Sequence, residues 1–142
     1  MERMTYLAGI ALALTISVSA TLVGFDRDRA FYPTLLVVIA SYYVLFAVLG
    51  GSSHALGVET LVMAGFLLVA AIGFKKNLWL VAAALAFHGI FDWFHGHLVD
   101  NPGVPAWWPP FCLSYDITAA AFLAWLLKRP HGRLAAWATS RS

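Results

Sequence analysis

The sequence predicts an all-α integral membrane protein, a compact bundle of about five transmembrane helices, and three observations carry that expectation. The apolar residues fall into five blocks, at about 6–24, 31–49, 54–73, 77–97 and 109–127. Each is close to the ~20 residues that cross a hydrocarbon core of about 30 Å at 1.5 Å per residue. Charge is scarce: 11% of the 142 residues are charged against 61% hydrophobic. The mean hydropathy of +0.78 lies far from the soluble average. The basic residues, finally, gather at alternate turns between the blocks.

The first block carries Thr15, Ser17, Ser19 and Thr21, hydroxyls that can bond their own backbone carbonyls. Val18-Ser-Ala20 has the form of a signal-peptidase site, but Met-Glu-Arg-Met supplies no net positive side-chain charge ahead of it. A retained helix is therefore expected. Asp26-Arg-Asp-Arg29 is a polar turn. The second block tolerates Pro33 in its first turn and carries Ser41, Tyr42 and Tyr43 near its middle. Gly50-Gly-Ser-Ser53 is the next turn, with Ser52 or Ser53 as a natural N-cap. The third block opens at His54 and holds Glu59. Lys75-Lys76 leads into the fourth block, and the Pro-rich loop 98–109 leads out of it. Trp107 and Trp108 in that loop belong at a membrane interface. Pro109 and Pro110 can open the fifth block, and 128–142 reads as a basic tail.

With five spans, one side holds Arg3 as its only Lys or Arg. The other holds Arg27, Arg29, Lys75, Lys76, Lys128, Arg129, Arg133 and Arg141. Eight against one is a positive-inside signal that puts the N-terminus outside and the tail in the cytoplasm. A cell membrane is the implied location, with a bacterial inner membrane the expected setting.

The polar residues of the spans cluster at one depth. In His88-Gly-Ile-Phe-Asp92-Trp-Phe-His95, at 100° per residue, His88, Asp92 and His95 fall within about 60° of one another. Phe87, Phe91 and Phe94 form an aromatic stripe, assigned to lipid. Ala82, Ala86 and Gly89 form a small-residue stripe suited to close helix contact. His54 and Glu59 lie at the outer end of the third block, and Asp116 lies about two turns inside the fifth, on one face with Cys112. Ionisable groups at membrane depth usually face a bundle interior, a cavity or a partner. No Lys or Arg shares this level, so buried carboxylates there need a proton or a cation.

His, Asp and Glu are common ligands of transition metals. The candidate ligands of a divalent ion, zinc first and iron second, are His88, Asp92, His95 and His54. His88 and His95 stand about 10.5 Å apart along the axis, so two of the stripe residues with Glu59, His54 or Asp116 form the expected set. Glu59 or Asp116 is the candidate general base. His97 points away from the stripe, and Asp100 is interfacial. The single cysteine, Cys112, excludes an intrachain disulfide and any CxxC site, and is read as a small buried apolar residue. No span carries a Lys for a retinal Schiff base, and no phosphate-binding Gly loop is present. Nothing points to nucleic acid; membrane lipids and a lipid-like or apolar small molecule are the expected partners, with a homo-oligomer open.

The mixture of membrane-embedded His and Asp with Ser52 and Ser53 is loosely similar to membrane hydrolases of the alkaline ceramidase and adiponectin-receptor type. Those proteins use a zinc held by three His, with Ser and Asp nearby, to cleave lipid amides. The likeness covers His54 and residues 88–95. The chain departs in having five spans rather than seven, and His-x3-Asp-x2-His in place of a paired His-x3-His. It is an analogy of chemistry that transfers no roles. The leading functional expectation is a membrane-embedded metalloenzyme, hydrolytic in type, working from the outer leaflet. A proton or metal-ion carrier using the same residues is the alternative. A cofactor-binding or assembly subunit, with haem held by His88 or His95, is the third.

Overall fold

In a computed structural model, which describes residues 2–129, the chain forms five helices: α1 (Glu2–Val23), α2 (Phe31–Leu49), α3 (Ser53–Lys75), α4 (Leu78–Leu98) and α5 (Trp108–Lys128). Each is long and apolar enough to cross a membrane, and no strand occurs among the described residues. The chain is thus a multi-pass, all-α membrane bundle. The tail from residue 130 onward, with His131, Arg133 and Arg141, lies outside the described residues.

Local chemistry sets the helix ends. Ser52 caps α3 by accepting a hydrogen bond from the Ala55 amide at 3.1 Å, and Asn77 caps α4 by accepting from Trp79 at 2.9 Å. Pro109 and Pro110 occupy the first turn of α5, where their missing N–H groups cost nothing. Helix α1 starts earlier than the apolar block at residue 6, because residues 2–5 contain no Gly or Pro to stop it.

Side-chain contacts show which ends of the helices lie together. Arg29 donates from Nε to the Phe74 carbonyl at 2.7 Å and from Nη2 to the Gly73 carbonyl at 3.2 Å. A basic group thereby satisfies the orphan carbonyls at the C-terminus of α3. At the opposite end, Tyr6 meets Trp93, with ring centroids 6.4 Å apart. There the loop after α4 also lies against the C-terminus of α2: a Cβ on Gly103 would collide with the Phe46 carbonyl and the Gly50 amide. One end of the bundle therefore carries Arg27, Arg29, Lys75, Lys76, Lys128 and Arg129, and the other carries Arg3.

Helix α5 packs on α1 and α4, while α3 packs on α2 and α4. The consecutive helices α1 and α2 meet chiefly through the short 3-10 turn Phe25–Arg27 between them. The core is apolar toward the basic end, with Leu36, Val81, Leu85, Ala119 and Leu123 fully buried. Leu61, Leu68, Phe87 and Trp125 are among the large apolar side chains that face outward, as lipid-facing surfaces require. Helices α4 and α5 approach closely. A Cβ on Gly89 would stand 3.0 Å from the Asp116 Cβ and 3.2 Å from the Leu113 carbonyl oxygen. The small-residue stripe of α4 lets the two helices approach, and that approach brings His88 to Asp116.

Candidate functional site

One face of α4 is buried along its whole length. Val81 and Leu85 fill it toward the basic end, and His88, Asp92 and His95 continue it outward. Their 3–4 residue spacing puts all five on one side of the helix. Facing them are Tyr43 of α2, Glu59 of α3, and Cys112 and Asp116 of α5, all of them buried.

The polar groups sort into two clusters. In the first, His88 Nδ1 donates to Asp116 Oδ2 at 2.7 Å and lies 3.3 Å from Asp92 Oδ2. One Nδ1–H cannot satisfy two carboxylates. Asp92 is left with neither oxygen hydrogen-bonded, and Asp116 Oδ1 is unpartnered as well. The Tyr43 hydroxyl and the Cys112 thiol are the other groups beside Asp92. Donor atoms of His88, Asp92 and Asp116 all lie within 4.8 Å of one another, in a buried group that could hold a metal ion.

Tetrahedral zinc with bonds of about 2.0–2.2 Å sets its ligand atoms roughly 3.3 Å apart. His88 and Asp92 already stand at that separation, 3.3 Å. His88 and Asp116, at 2.7 Å, would part by about 0.6 Å to admit the ion. A nitrogen and two carboxylates are ligand types common to several divalent metals.

The second cluster lies about two turns further out on α4. Glu59 Oε1 accepts from His95 Nε2 at 2.7 Å and from Asn101 Nδ2 at 2.9 Å. With Glu59 Oε1 accepting, the proton of that pair sits on His95 Nε2. Glu59 Oε2 has no partner. Asn101 also donates to the Tyr43 carbonyl at 3.1 Å, and its Oδ1 accepts from the Gly103 amide at 3.2 Å. The Tyr43 ring stacks on the His95 ring, with centroids 4.0 Å apart, and lies 6.3 Å from the His88 ring. Tyr43 thus links the clusters. Among the described residues, the only ion-pair contacts of Asp92, Asp116 and Glu59 are with histidines.

Several expectations change. His54 is exposed at the start of α3, five residues from Glu59 and therefore about 140° around the helix. It stands apart from both clusters. His95 does not join His88 and Asp92 around one point; its ring turns to Glu59. Asp116, expected as a ligand or as a general base, lies among the possible ligands. The aromatic stripe is split too: Phe87 and Phe94 face outward, but Phe91 packs edge-on against His95, with centroids 5.7 Å apart, and against Phe66. His97 and Asp100 are exposed, away from the clusters as expected.

Asn101 is the participant that sequence reasoning missed. Asp100-Asn-Pro-Gly103 reads as turn chemistry. Nothing in that pattern shows that the amide reaches back to a carboxylate 42 residues earlier. Sequence places Tyr43 near the site by depth alone, and its stacking on His95 comes from the packing of α2 beside α4.

No family model matches this chain, and neither does any curated protein or solved structure.

Proposed function

We propose that the protein is a membrane-embedded metalloenzyme, hydrolytic in type, in which His88, Asp92 and Asp116 hold one divalent cation, zinc ahead of iron. The observation that carries this reading is Asp92. It is 0% exposed, has only His88, the Tyr43 hydroxyl and the Cys112 thiol as polar neighbours, and faces a second buried carboxylate. Removing one ionised carboxylate from water costs several kcal/mol even after relaxation, and no Lys or Arg pairs with it. A cation at the centre of the three donors resolves that cost for Asp92 and Asp116 together.

Three protein ligands leave a zinc ion with an open position. Such an ion activates water or polarises a carbonyl. Glu59, held by His95 and Asn101 with Oε2 unpartnered, is the buried proton acceptor of the outer cluster, separate from these ligands. Toward the basic end, Leu36, Leu85, Ala119 and Leu123 close the bundle with apolar side chains.

Elemental analysis of the detergent-purified protein, prepared without chelators, tests the reading. One metal per chain is expected, lost in Asp92→Asn and retained in His97→Ala. Thermal stability gives an independent sign. Chelator lowers the melting temperature of the wild type, because an ion present at about 100 times its Kd stabilises by about 2.7 kcal/mol. Asp92→Asn does not respond to chelator. A wild-type protein that carries no stoichiometric metal and gains none on titration overturns the proposal, and a proton-titrating network then becomes the better account.

A further inference from the structure

A cleft opens between α1, α2 and α5, where the two consecutive helices α1 and α2 fail to close on each other. Its volume is about 350 Å³. Leu12, Val38 and Tyr42 form its mouth and are 43%, 45% and 38% exposed, on the outer, lipid-facing surface. Ile39, Cys112 and Tyr115 form its back and are 6%, 2% and 6% exposed. The Cys112 thiol at the back is a neighbour of Asp92. The cleft therefore runs from the lipid to the candidate metal centre.

Its direction is that of a lipid. Trp108, at the outer end of α5, stands at one end of the lining, and Leu35 of α2 stands at the other. The lining runs from Leu35 to Tyr42 on α2 and from Trp108 to Tyr115 on α5, seven residues or about 10.5 Å along each helix axis. A volume of about 350 Å³ over about 10.5 Å leaves a section of about 33 Å², enough to admit the upper part of a hydrocarbon chain. The outer end is not apolar throughout. The Trp108 Nε1–H is buried and has no acceptor, so a donor waits at the level where the polar end of an amphiphile would sit. Cys112 lies one turn deeper than Trp108, the depth at which the first carbonyl below a headgroup would reach Asp92.

The larger groove between α3 and α4, about 540 Å³, does not offer the same route. Phe66 at its back stands edge-on to His88, with centroids 4.7 Å apart, and screens the donors. That groove is lined by carbon alone apart from backbone.

We propose that the α1–α2–α5 cleft is the hydrocarbon subsite of this centre. It takes the upper part of one long alkyl chain of a lipid from the leaflet on the Trp108 side and sets that lipid's uppermost carbonyl beside Asp92. The reaction assigned to the lipid rests on the metalloenzyme reading; occupancy of the cleft does not.

The test uses the full chain in phosphatidylcholine vesicles containing a trace of phosphatidylcholine with a photoactivatable diazirine on one acyl chain. After illumination and digestion, adducts are mapped by mass spectrometry. Bulk lipid reaches Leu61 and Leu68, which are 76% and 61% exposed on α3, and these serve as the reference. Adducts on Cys112, Tyr115 or Ile39 are expected in addition, since bulk lipid cannot reach residues so buried. Ile16→Trp, which fills the cleft, should remove most of the Cys112 and Tyr115 adducts and spare those on Leu61 and Leu68. Adducts confined to exposed residues in the wild type overturn the proposal, and so does an Ile16→Trp variant that labels at Cys112 as the wild type does. Metal analysis of the same wild-type samples separates the two readings. If the metal is absent and buried adducts persist, the subsite stands and the metal reading falls. If the metal is bound and buried adducts are missing, the subsite falls alone.

Discussion

Gly89→Ala should damage the site without touching any of its polar atoms. The new Cβ would lie 3.0 Å from the Asp116 Cβ, 3.2 Å from the Leu113 carbonyl oxygen and 3.4 Å from the Leu113 Cα. Two of the three neighbours are backbone atoms of α5, so no rotamer change relieves the contact, and the helices must part by a few tenths of an ångström or more. Overpacking of this kind costs about 1–3 kcal/mol. Replacing Gly by Ala within a helix returns at most about 1 kcal/mol. The net loss is therefore about 0–2 kcal/mol. Gly65→Ala is the matched control: it lies in the interior of α3 with nothing within 4 Å of the methyl it would gain, so only the propensity gain remains. Unfolding in detergent should show the two variants shifting in opposite directions. Metal content sharpens the comparison, because His88 and Asp116 sit on the two helices that part. Gly89→Ala should bind metal more weakly than Gly65→Ala although neither changes a ligand. Equal stability and equal metal binding in the two variants would refute the idea that close approach of α4 and α5 builds the site.

Sidedness is expected from the eight-to-one distribution of basic residues. In the Cys112→Ala background, Asp100→Cys should react with a membrane-impermeant maleimide in intact cells, and Lys76→Cys only after lysis; the reverse pattern would place the site on the cytoplasmic side. Asn101→Leu removes two hydrogen bonds to buried acceptors, Glu59 Oε1 and the Tyr43 carbonyl, each worth about 0.5–1.5 kcal/mol. That variant should lower the melting temperature while metal content holds, since Asn101 belongs to the His95 cluster and not to the His88 cluster; loss of metal in step with stability would mean the clusters act as one.

The five spans, their caps and the charge asymmetry were legible in the sequence because each depends on local spacing. Twenty apolar residues must form a helix in lipid whatever surrounds them, and Ser52 or Asn77 caps the turn that follows it directly. The inward stripe of His88, Asp92 and His95 was legible for the same reason, since helical periodicity fixes a face without reference to neighbours. Periodicity does not fix which side chains meet across helices. The separation of His95 from His88, its pairing with Glu59, and the contact of Asp116 with His88 follow from the rotation and depth of α3 and α5 against α4. Those are set by contacts such as Gly89 on Leu113, between residues far apart in the chain. His54 shows the same limit: it shares a helix with Glu59, but five residues turn it out of the bundle. The inward reach of Asn101 and the gap between α1 and α2 are tertiary facts entirely. A loop amide finds its carboxylate, and two consecutive helices stay apart, only because the other three helices have already taken their places.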